Sequence, residues 1–322
     1  MEEVLEQLAD GQWHAEARLL ALLGNAEPAL APVMAAIGAL GVTVERSSTQ
    51  AYRVPGGLEL LWPEAILEDV DDDARRALGE LRVLRQVDST NAELLRELAP
   101  PPGRARACLA DCQSAGRGRR GRRWVSPFGC NLYLSLDWRF AAAPPQIEGL
   151  SLAVAVVVAD ALAAFGASGV RLKWPNDVLK DGAKLGGILL ESTPLPDAGT
   201  RVVIGIGINV AMPAAQAEAV DQRWTNLAAA CGGAAPGRNA LAAALLNRLL
   251  PLLRDFPATG FAPWRARWIE RDAFAGERVR VGSGDRLQTG IARGVDERGA
   301  LLLETAQGLQ ALHGGELSLR SA

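Results

Sequence analysis

The chain has 322 residues, 49% of them hydrophobic, which is enough for a large core divided over two or three domains. A formal net charge of −3 excludes a polycation that holds nucleic acid by bulk charge, so any cationic site must be local. The start, MEEVLEQLADGQWHAE, has no basic segment leading into an apolar core, and Cys108, Cys112, Cys130 and Cys231, with His14 and His313 as the two histidines, show no metal-ligand spacing. We therefore expect a reduced cytoplasmic protein with no signal peptide, no disulfide framework and no protein-bound zinc.

Residues 1–66 form the first block. Val4, Leu5 and Leu8 mark a short amphipathic helix, residues 15–23 a second one stopped by Gly24-Asn25, and Pro28 to Leu40 a third one ended by Gly41. VTVERSSTQAYRVP then reads as strand, turn, strand. Three helices and a hairpin are the plan of a winged helix-turn-helix. Its charges argue against use on DNA: residues 1–60 hold three basic side chains (Arg18, Arg46, Arg53) and eight acidic ones. The third helix, whose first half should enter the major groove, opens with EPALAPVM. Glu27 repels phosphate, Pro28 and Pro32 carry no donor, and Ala29, Leu30 and Val33 offer base edges no hydrogen bond. Affinity for duplex DNA comes largely from phosphate neutralisation, which this block lacks.

The acidic stretch LEDVDDDARRAL (67–78) leads into a second block, 67–272, in which strands such as NLYLSL (131–136) and RVVIGIGINV (201–210) alternate with helical stretches. This is the pattern of a mixed α/β domain. LSLAVAVVVADALAAF (150–165) is very apolar, but it is short and broken by Asp160, so it reads as a buried helix and not as a membrane span. In the last block, 273–322, ERVRV, QTGIARGV, GALLLET and LQALHGGELSLR are short strands between Gly- and Asp-bearing turns, which predicts a small β-barrel.

Three stretches of the second block carry candidate chemistry. QVDSTNAELLRELA (86–99) offers Asp88, Ser89 or Thr90 as helix N-cap. The first turn then presents hydroxyls, an amide and free N–H groups to a polar ligand or anion, unless it is an ordinary capped helix. SAGRGRRGRRW (114–124) places five arginines between Arg117 and Arg123. Glycine lets backbone approach a ligand closely, the guanidinium fork suits phosphate and carboxylate, and Trp124 can stack on a base. Alone, such a run is usually a solvated loop, with nucleic-acid contact the next reading. RLKWPNDVLKDGAKLGGILLE (171–191) has a turn at Trp174-Pro175-Asn176-Asp177 after a strand, and Lys184 before a glycine pair, which a plain surface hairpin would also show.

Taken together, DSTN, QSAGRGRRGRRW, KWPND, KLGGILLE and GIGINV, in this order, resemble the bacterial biotin–protein ligases. The resemblance is strongest to the bifunctional type, biotin–[acetyl-CoA-carboxylase] ligase and biotin-operon repressor, and extends through GGELSLR (314–320). It implies an α/β (α+β) multidomain fold: a winged helix-turn-helix over 1–66, a biotin/lipoate ligase catalytic domain over 67–272 and an SH3-like β-barrel over 273–322. It also implies ATP-dependent activation of biotin to biotinyl-5′-AMP with Mg²⁺. The biotinyl group then passes to one lysine of a biotin carboxyl carrier protein, a subunit of acetyl-CoA carboxylase.

By the same resemblance, Ser89, Thr90, Asn91 and Gln113 lie at the biotin head group. Arg117, Gly118 and Arg119 belong to a loop closing over the adenylate, Lys184 faces carboxylate and phosphate, and Trp124 stacks on adenine. Lys173, Asn176, Asp177 and Asn209 complete the polar site, and Lys184, Arg117, Arg119, Lys173 and Asp177 are counted as the catalytic residues. Gly116, Arg122, Gly187 and Gly205 are counted with the ligand-binding set, and Arg320 reaches back from the barrel. The family also implies a homodimer in the adenylate-bound state and, in its repressors, DNA binding. A lipoate–protein ligase is the closest enzymatic alternative, and the GRGRRG loop argues against it.

Overall fold

The computed structural model describes every residue except 25–29, 142–148, 218, 284–285, 315–317 and 322. Helices α1 (Glu2–Leu8), α2 (Glu16–Leu22) and α3 (Leu30–Ala39) pack through Val4, Leu5, Leu8, Leu19 and Ile37. Beside them lies a three-stranded antiparallel sheet in which β3 (Ala51–Arg53) runs between β1 (His14–Ala15) and β2 (Glu45–Arg46). The sequence pattern gave the hairpin but not β1, whose two residues are too few for an alternation to show. Glu27, Pro28 and Ala29 fall outside the described residues. This block shares its core with Cys112 and Phe128 of the next, so it is packed onto the central block.

Helices α4 (Pro63–Glu68) and α5 (Asp72–Ala77) follow. Leu60 belongs to the first core and Leu61 to the main one, and α4 runs across residue 66, so the change of core lies ahead of the boundary read from the sequence. The acidic stretch becomes α5, with the Asp71 side chain accepting from the Ala74 amide at 2.8 Å, acids in the first turn and Arg75 and Arg76 in the last. That distribution opposes the helix dipole at both ends.

The centre is a seven-stranded sheet built from β4 (Leu78–Leu84), β5 (Ala105–Ala110), β6 (Asn131–Phe140), β7 (Arg171–Lys173), β8 (Asp177–Lys180), β9 (Ala183–Pro194) and β10 (Thr200–Asn209). Their order is β4-β5-β6-β10-β9-β8-β7, with β4 and β5 parallel and every other pair antiparallel. Side chains alternate across the sheet. Val202 and Ile204 face the core under α7 (Leu150–Ala164), while Val203 and Cys108 face Leu94 of α6 (Thr90–Leu95) on the other side. Apart from its first turn and C-terminal end, α7 is almost wholly buried, which explains its uniform apolarity. Among the described residues no helix is long and apolar enough to cross a membrane.

Helix α8 (Leu227–Ala230) precedes α9 (Arg238–Thr259), which packs on α7, and α10 (Ala262–Arg271) leads into the last block. There β11 (Arg278–Ser283), β12 (Arg286–Val295), β13 (Leu301–Thr305), β14 (Gly308–Leu312) and β15 (Ser318–Ser321) form one antiparallel sheet, ordered β14-β13-β12-β11-β15. Val279, Val281, Leu303 and Leu319 join the main core, and the Trp174 indole donates to the Gly299 carbonyl at 3.1 Å. The block is thus fixed against the turn that follows β7.

Candidate active site

A cavity of about 190 Å³ opens on the α6 face of the sheet. Three adjacent strands make its floor. Gly205 of β10 is paired with Ser135 of β6 and Leu189 of β9, and Gly207 with Tyr133 and Gly187. The glycines are there for space. A Cβ on Gly205 would stand 2.4 Å from the Asn91 Oδ1, and one on Gly207 would stand 2.6–2.8 Å from the Trp124 indole.

One end is walled by the first turn of α6, where Ser89, Thr90 and Asn91 are almost fully buried. Ser89 is the N-cap, accepting from the Ala92 amide. The sequence reading left the N–H groups of this turn free for a ligand, but the fold uses one of them. The Thr90 amide donates to the Gln113 Oε1 at 2.9 Å, and the Gln113 Nε2 donates to Ser126 at 3.0 Å. The Ser135 hydroxyl lies 2.7 Å from that of Thr90 and 2.6 Å from the Asn91 Oδ1, and the Asn91 amide donates to Glu191 at 2.8 Å. The side chains are therefore held in fixed rotamers before any ligand arrives, as a precise polar site requires. Ser126, Tyr133, Ser135, Glu191 and Gly207 were not singled out from the sequence. For Tyr133, Ser135, Glu191 and Gly207 the signal was strand alternation in NLYLSL, GGILLE and GIGIN, which becomes readable once β6, β9 and β10 are known to be neighbours.

The arginine loop folds over this cavity. Its two limbs are tied by Gly118 N–H to Arg122 O at 2.7 Å and Trp124 N–H to Gly116 O at 2.8 Å, and Arg120 and Gly121 turn it at φ 61° and 69°. Arg117, Gly118, Arg119, Arg122 and Trp124 line the cavity. Gly116 does not. It lies beneath the loop, where a Cβ would meet Ser126 and the Trp124 carbonyl at 2.6 Å. Arg117 approaches Glu191 at 3.7 Å, and Arg119 donates to the Asn176 Oδ1 at 3.2 Å. The Trp124 indole N–H is buried and has no partner among the described residues.

At the other end the Lys184 ammonium lies 2.6 Å from Asp177 and 5.4 Å from the Trp124 ring centroid. Lys184 and Asp177 meet because β8 and β9 are joined by a tight hairpin with a register shift after Val178. Lys173 is 3.7 Å from the same carboxylate. Burial pushes the Lys173 ammonium below its ordinary pKa; Asp177 opposes this, while Lys184, Arg122 and Arg320 add to it. Lys173, Asp177 and Arg320 do not line the first cavity as the sequence reading grouped them. They line a second one of about 290 Å³, joined to the first through Arg119, Arg122 and Asn176. Its one carboxylate, among the described lining residues, is Asp177. Asn209 borders a small pocket of about 50 Å³ beside Trp124 and Lys184, its amide donating to the Thr225 carbonyl at 3.0 Å. Among the described residues no three metal-ligating side chains cluster.

A polar, preformed cavity joined to a cationic one, under a glycine–arginine loop, suits a small neutral head group linked to a phosphorylated tail. Family comparison gives the same class. Residues 83–209 match the biotin/lipoate A/B protein ligase family and residues 274–320 the biotin protein ligase C-terminal domain, and the chain belongs to the biotin–protein ligases of this family. It is 40% identical over 320 residues to the bifunctional ligase/repressor BirA of Escherichia coli, covering 99% of this chain and 97% of that protein. It is 38% identical to the biotin–[acetyl-CoA-carboxylase] ligase of Paracoccus denitrificans, over 73% of this chain and 98% of that one. Among solved structures, the biotin protein ligase of Aquifex aeolicus in complex with biotin and ATP superposes with a TM-score of 0.65 at 31% identity, covering 76% of this chain and all of that one.

Proposed function

We propose that the protein activates biotin with ATP to biotinyl-5′-AMP, releasing pyrophosphate, and transfers the biotinyl group to one lysine of a biotin carboxyl carrier protein. The observation that carries this reading is the convergence of α6, the arginine loop and the β8–β9 hairpin on one glycine-floored cavity. Ser89, Thr90, Asn91 and Gln113 would pair a buried ureido ring, where each unpaired group costs about 1–3 kcal/mol. Lys184, with Arg117, Arg119, Arg122 and Lys173, would neutralise the carboxylate and phosphate as they meet. Trp124 and Asn209 would border the nucleotide, Gly187 give it room beside Trp124, Gly205 give the head group room beside Asn91, and Arg320 reach the phosphates. Asp177, held between two lysines, would orient Lys184. With both Asp177 oxygens engaged by lysines, Mg²⁺ would be carried on the phosphate oxygens, adding positive charge there. Intact-mass analysis of a carrier domain incubated with the protein, biotin and MgATP should show one biotinyl addition. A gain with lipoate and none with biotin would identify a lipoate ligase instead.

The arginine loop gives a second expected result. Arg119→Ala should change stability by at most about 0.5 kcal/mol, since the side chain is on a partly exposed loop. It should nonetheless speed the escape of biotinyl-AMP, because closure loses a cationic contact and the Asn176 bond. Thermal melts beside adenylate dissociation rates test this, and an unchanged dissociation rate would refute the loop's role as a lid.

We assign residues 1–66 to a winged helix-turn-helix, 67–272 to the catalytic domain and 273–322 to an SH3-like barrel, in a cytoplasmic protein that dimerises when adenylate-bound. Operator binding is expected to be weak. The described part of α3 has no basic side chain. Arg53 pairs with Glu45 at 2.8 Å and Arg46 lies 3.5 Å from Glu16, so both wing cations are already engaged by acids of the same block. Titration of the protein's own biotin-gene promoter, with biotin and ATP present, should give a shallow salt dependence and low affinity. Nanomolar sequence-specific binding at moderate salt would establish a repressor.

A further inference from the structure

The head-group wall is joined to a carboxylate that the ligand does not meet. Glu191 of β9 is paired with Val203 of β10 and is not among the residues lining the ligand cavity. Its Oε2 accepts from the Asn91 Nδ2 at 2.8 Å. The Asn91 Oδ1 lies 2.6 Å from the Ser135 hydroxyl, which lies 2.7 Å from the Thr90 hydroxyl. Asn91, Ser135 and Thr90 are each 4% exposed or less, and Asn91 and Thr90 line the cavity. Four side chains thus form one chain of hydrogen bonds from a partly exposed acid to the wall of the site.

We propose that Glu191 is a positioning residue that sets the polarity of this wall, so that Thr90 shows the ligand a lone pair and not a proton. The inference rests on the ligase reading above. A carboxylate has no proton to give, so the Asn91 amide turns its NH₂ group to Glu191 and its carbonyl to Ser135. That carbonyl only accepts, so the one hydroxyl proton of Ser135 goes to it. The Ser135–Thr90 contact then needs Thr90 to donate. The other neighbour of the Thr90 hydroxyl gives it no proton either. The Gln113 Oε1, 3.2 Å away, is a carbonyl oxygen, and it is fixed in place because the Gln113 Nε2 donates to Ser126, whose own proton goes to the Trp124 carbonyl at 3.1 Å. The Thr90 proton therefore stays within the wall, and its oxygen faces the cavity as an acceptor. A head group that presents an N–H there, as a cyclic urea does, is paired. One that presents only acceptors, such as the sulfurs of a dithiolane, meets lone pairs and leaves a buried acceptor unpaired. Glu191 thus favours the ureido ring without touching it.

Glu191→Gln tests the relay because it keeps the shape and removes the direction. A glutamine amide can donate to the Asn91 carbonyl, and the chain can then run backwards, with Asn91 donating to Ser135 and Ser135 to Thr90. Using the full-length protein, we expect calorimetry with biotin to show affinity lowered about tenfold, the scale of one buried polar group left without a partner. The KM for biotin should rise in step, with kcat, the KM for ATP and the melting temperature near wild type. Two further backgrounds cut the relay, Ser135→Ala in the middle and Thr90→Val at its end. In either of them Glu191→Gln should weaken biotin by a further factor of less than about three, because coupled residues are not additive. The same tenfold loss in a cut background overturns the relay and assigns the effect to Arg117, whose Nη2 lies 3.7 Å from the same Glu191 oxygen. Unchanged biotin affinity in Glu191→Gln also overturns it, as does a loss of affinity matched by a fall in melting temperature. A wild-type protein that binds lipoate and not biotin would instead overturn the ligase reading and the polarity assignment with it.

Discussion

Lys184→Ala is expected to lower the rate of biotin adenylation by roughly 10²–10³-fold, the range found when one preorganised charge-stabilising group is removed from a site of developing negative charge. The side chain is 11% exposed and lines the ligand cavity, and its ammonium is fixed 2.6 Å from Asp177, a carboxylate that lines the cationic cavity. Negative charge is densest there when carboxylate and α-phosphate close on each other, so an interaction made mainly at that moment reduces the chemical rate more than ground-state affinity. Biotin affinity without nucleotide should stay within a few-fold of wild type, because the head-group end is organised by Ser135, Gln113 and Glu191 and not by Lys184. Isothermal calorimetry with biotin, set beside single-turnover pyrophosphate release, separates the two. Collapse of biotin affinity with a surviving single-turnover rate would make Lys184 a binding residue only. Lys184→Ala also leaves Asp177 with Lys173 at 3.7 Å as its remaining cation among the described ion pairs. An accompanying loss of stability would then be repaired by Asp177→Asn without restoring the rate.

The parts of this site that could be read from the sequence are those written in unusual residue strings. Five arginines among glycines, a tryptophan after them and a lysine before a glycine pair are uncommon enough to stand out. What escaped was carried by ordinary residues whose meaning depends on which strands are neighbours. Ser135 and Glu191 are a serine in an apolar strand and a carboxylate at the end of one. They acquire a function because β10 runs between β6 and β9 and turns both towards Asn91. The division of the polar residues between two chambers was hidden for the same reason, since Arg320 arrives from a strand more than a hundred residues beyond Lys184. Cores were easier. The uniform apolarity of 150–165 and the short β-rich tail followed from periodicity and turn residues. The position where one core gives way to the next, between Leu60 and Leu61, had no sequence mark because two leucines look alike whichever core receives them.

Two floor glycines should separate the ends of the ligand cavity. Neither is among the positive-φ glycines, so alanine brings no backbone strain and its effect is that of one methyl group. At Gly205 that methyl would stand 2.4 Å from the Asn91 Oδ1, a side chain already bonded to Ser135 and Glu191. Asn91 must turn away, and the head-group wall loses its arrangement. At Gly207 the methyl would stand 2.6 Å from the Trp124 indole and push it off the floor, towards Lys184. Overpacking of this kind costs about 1–3 kcal/mol, which is roughly 5- to 150-fold in an equilibrium. Gly205→Ala should therefore weaken biotin binding by that factor with a smaller change in the KM for ATP. Gly207→Ala should raise the KM for ATP by a similar factor and leave the Kd for biotin alone near wild type. Calorimetry with biotin and steady-state kinetics with varied ATP read the two effects independently. If both variants lose biotin and ATP alike, the floor is one mechanical unit, and the division into a head-group end under Asn91 and a nucleotide end under Trp124 is wrong.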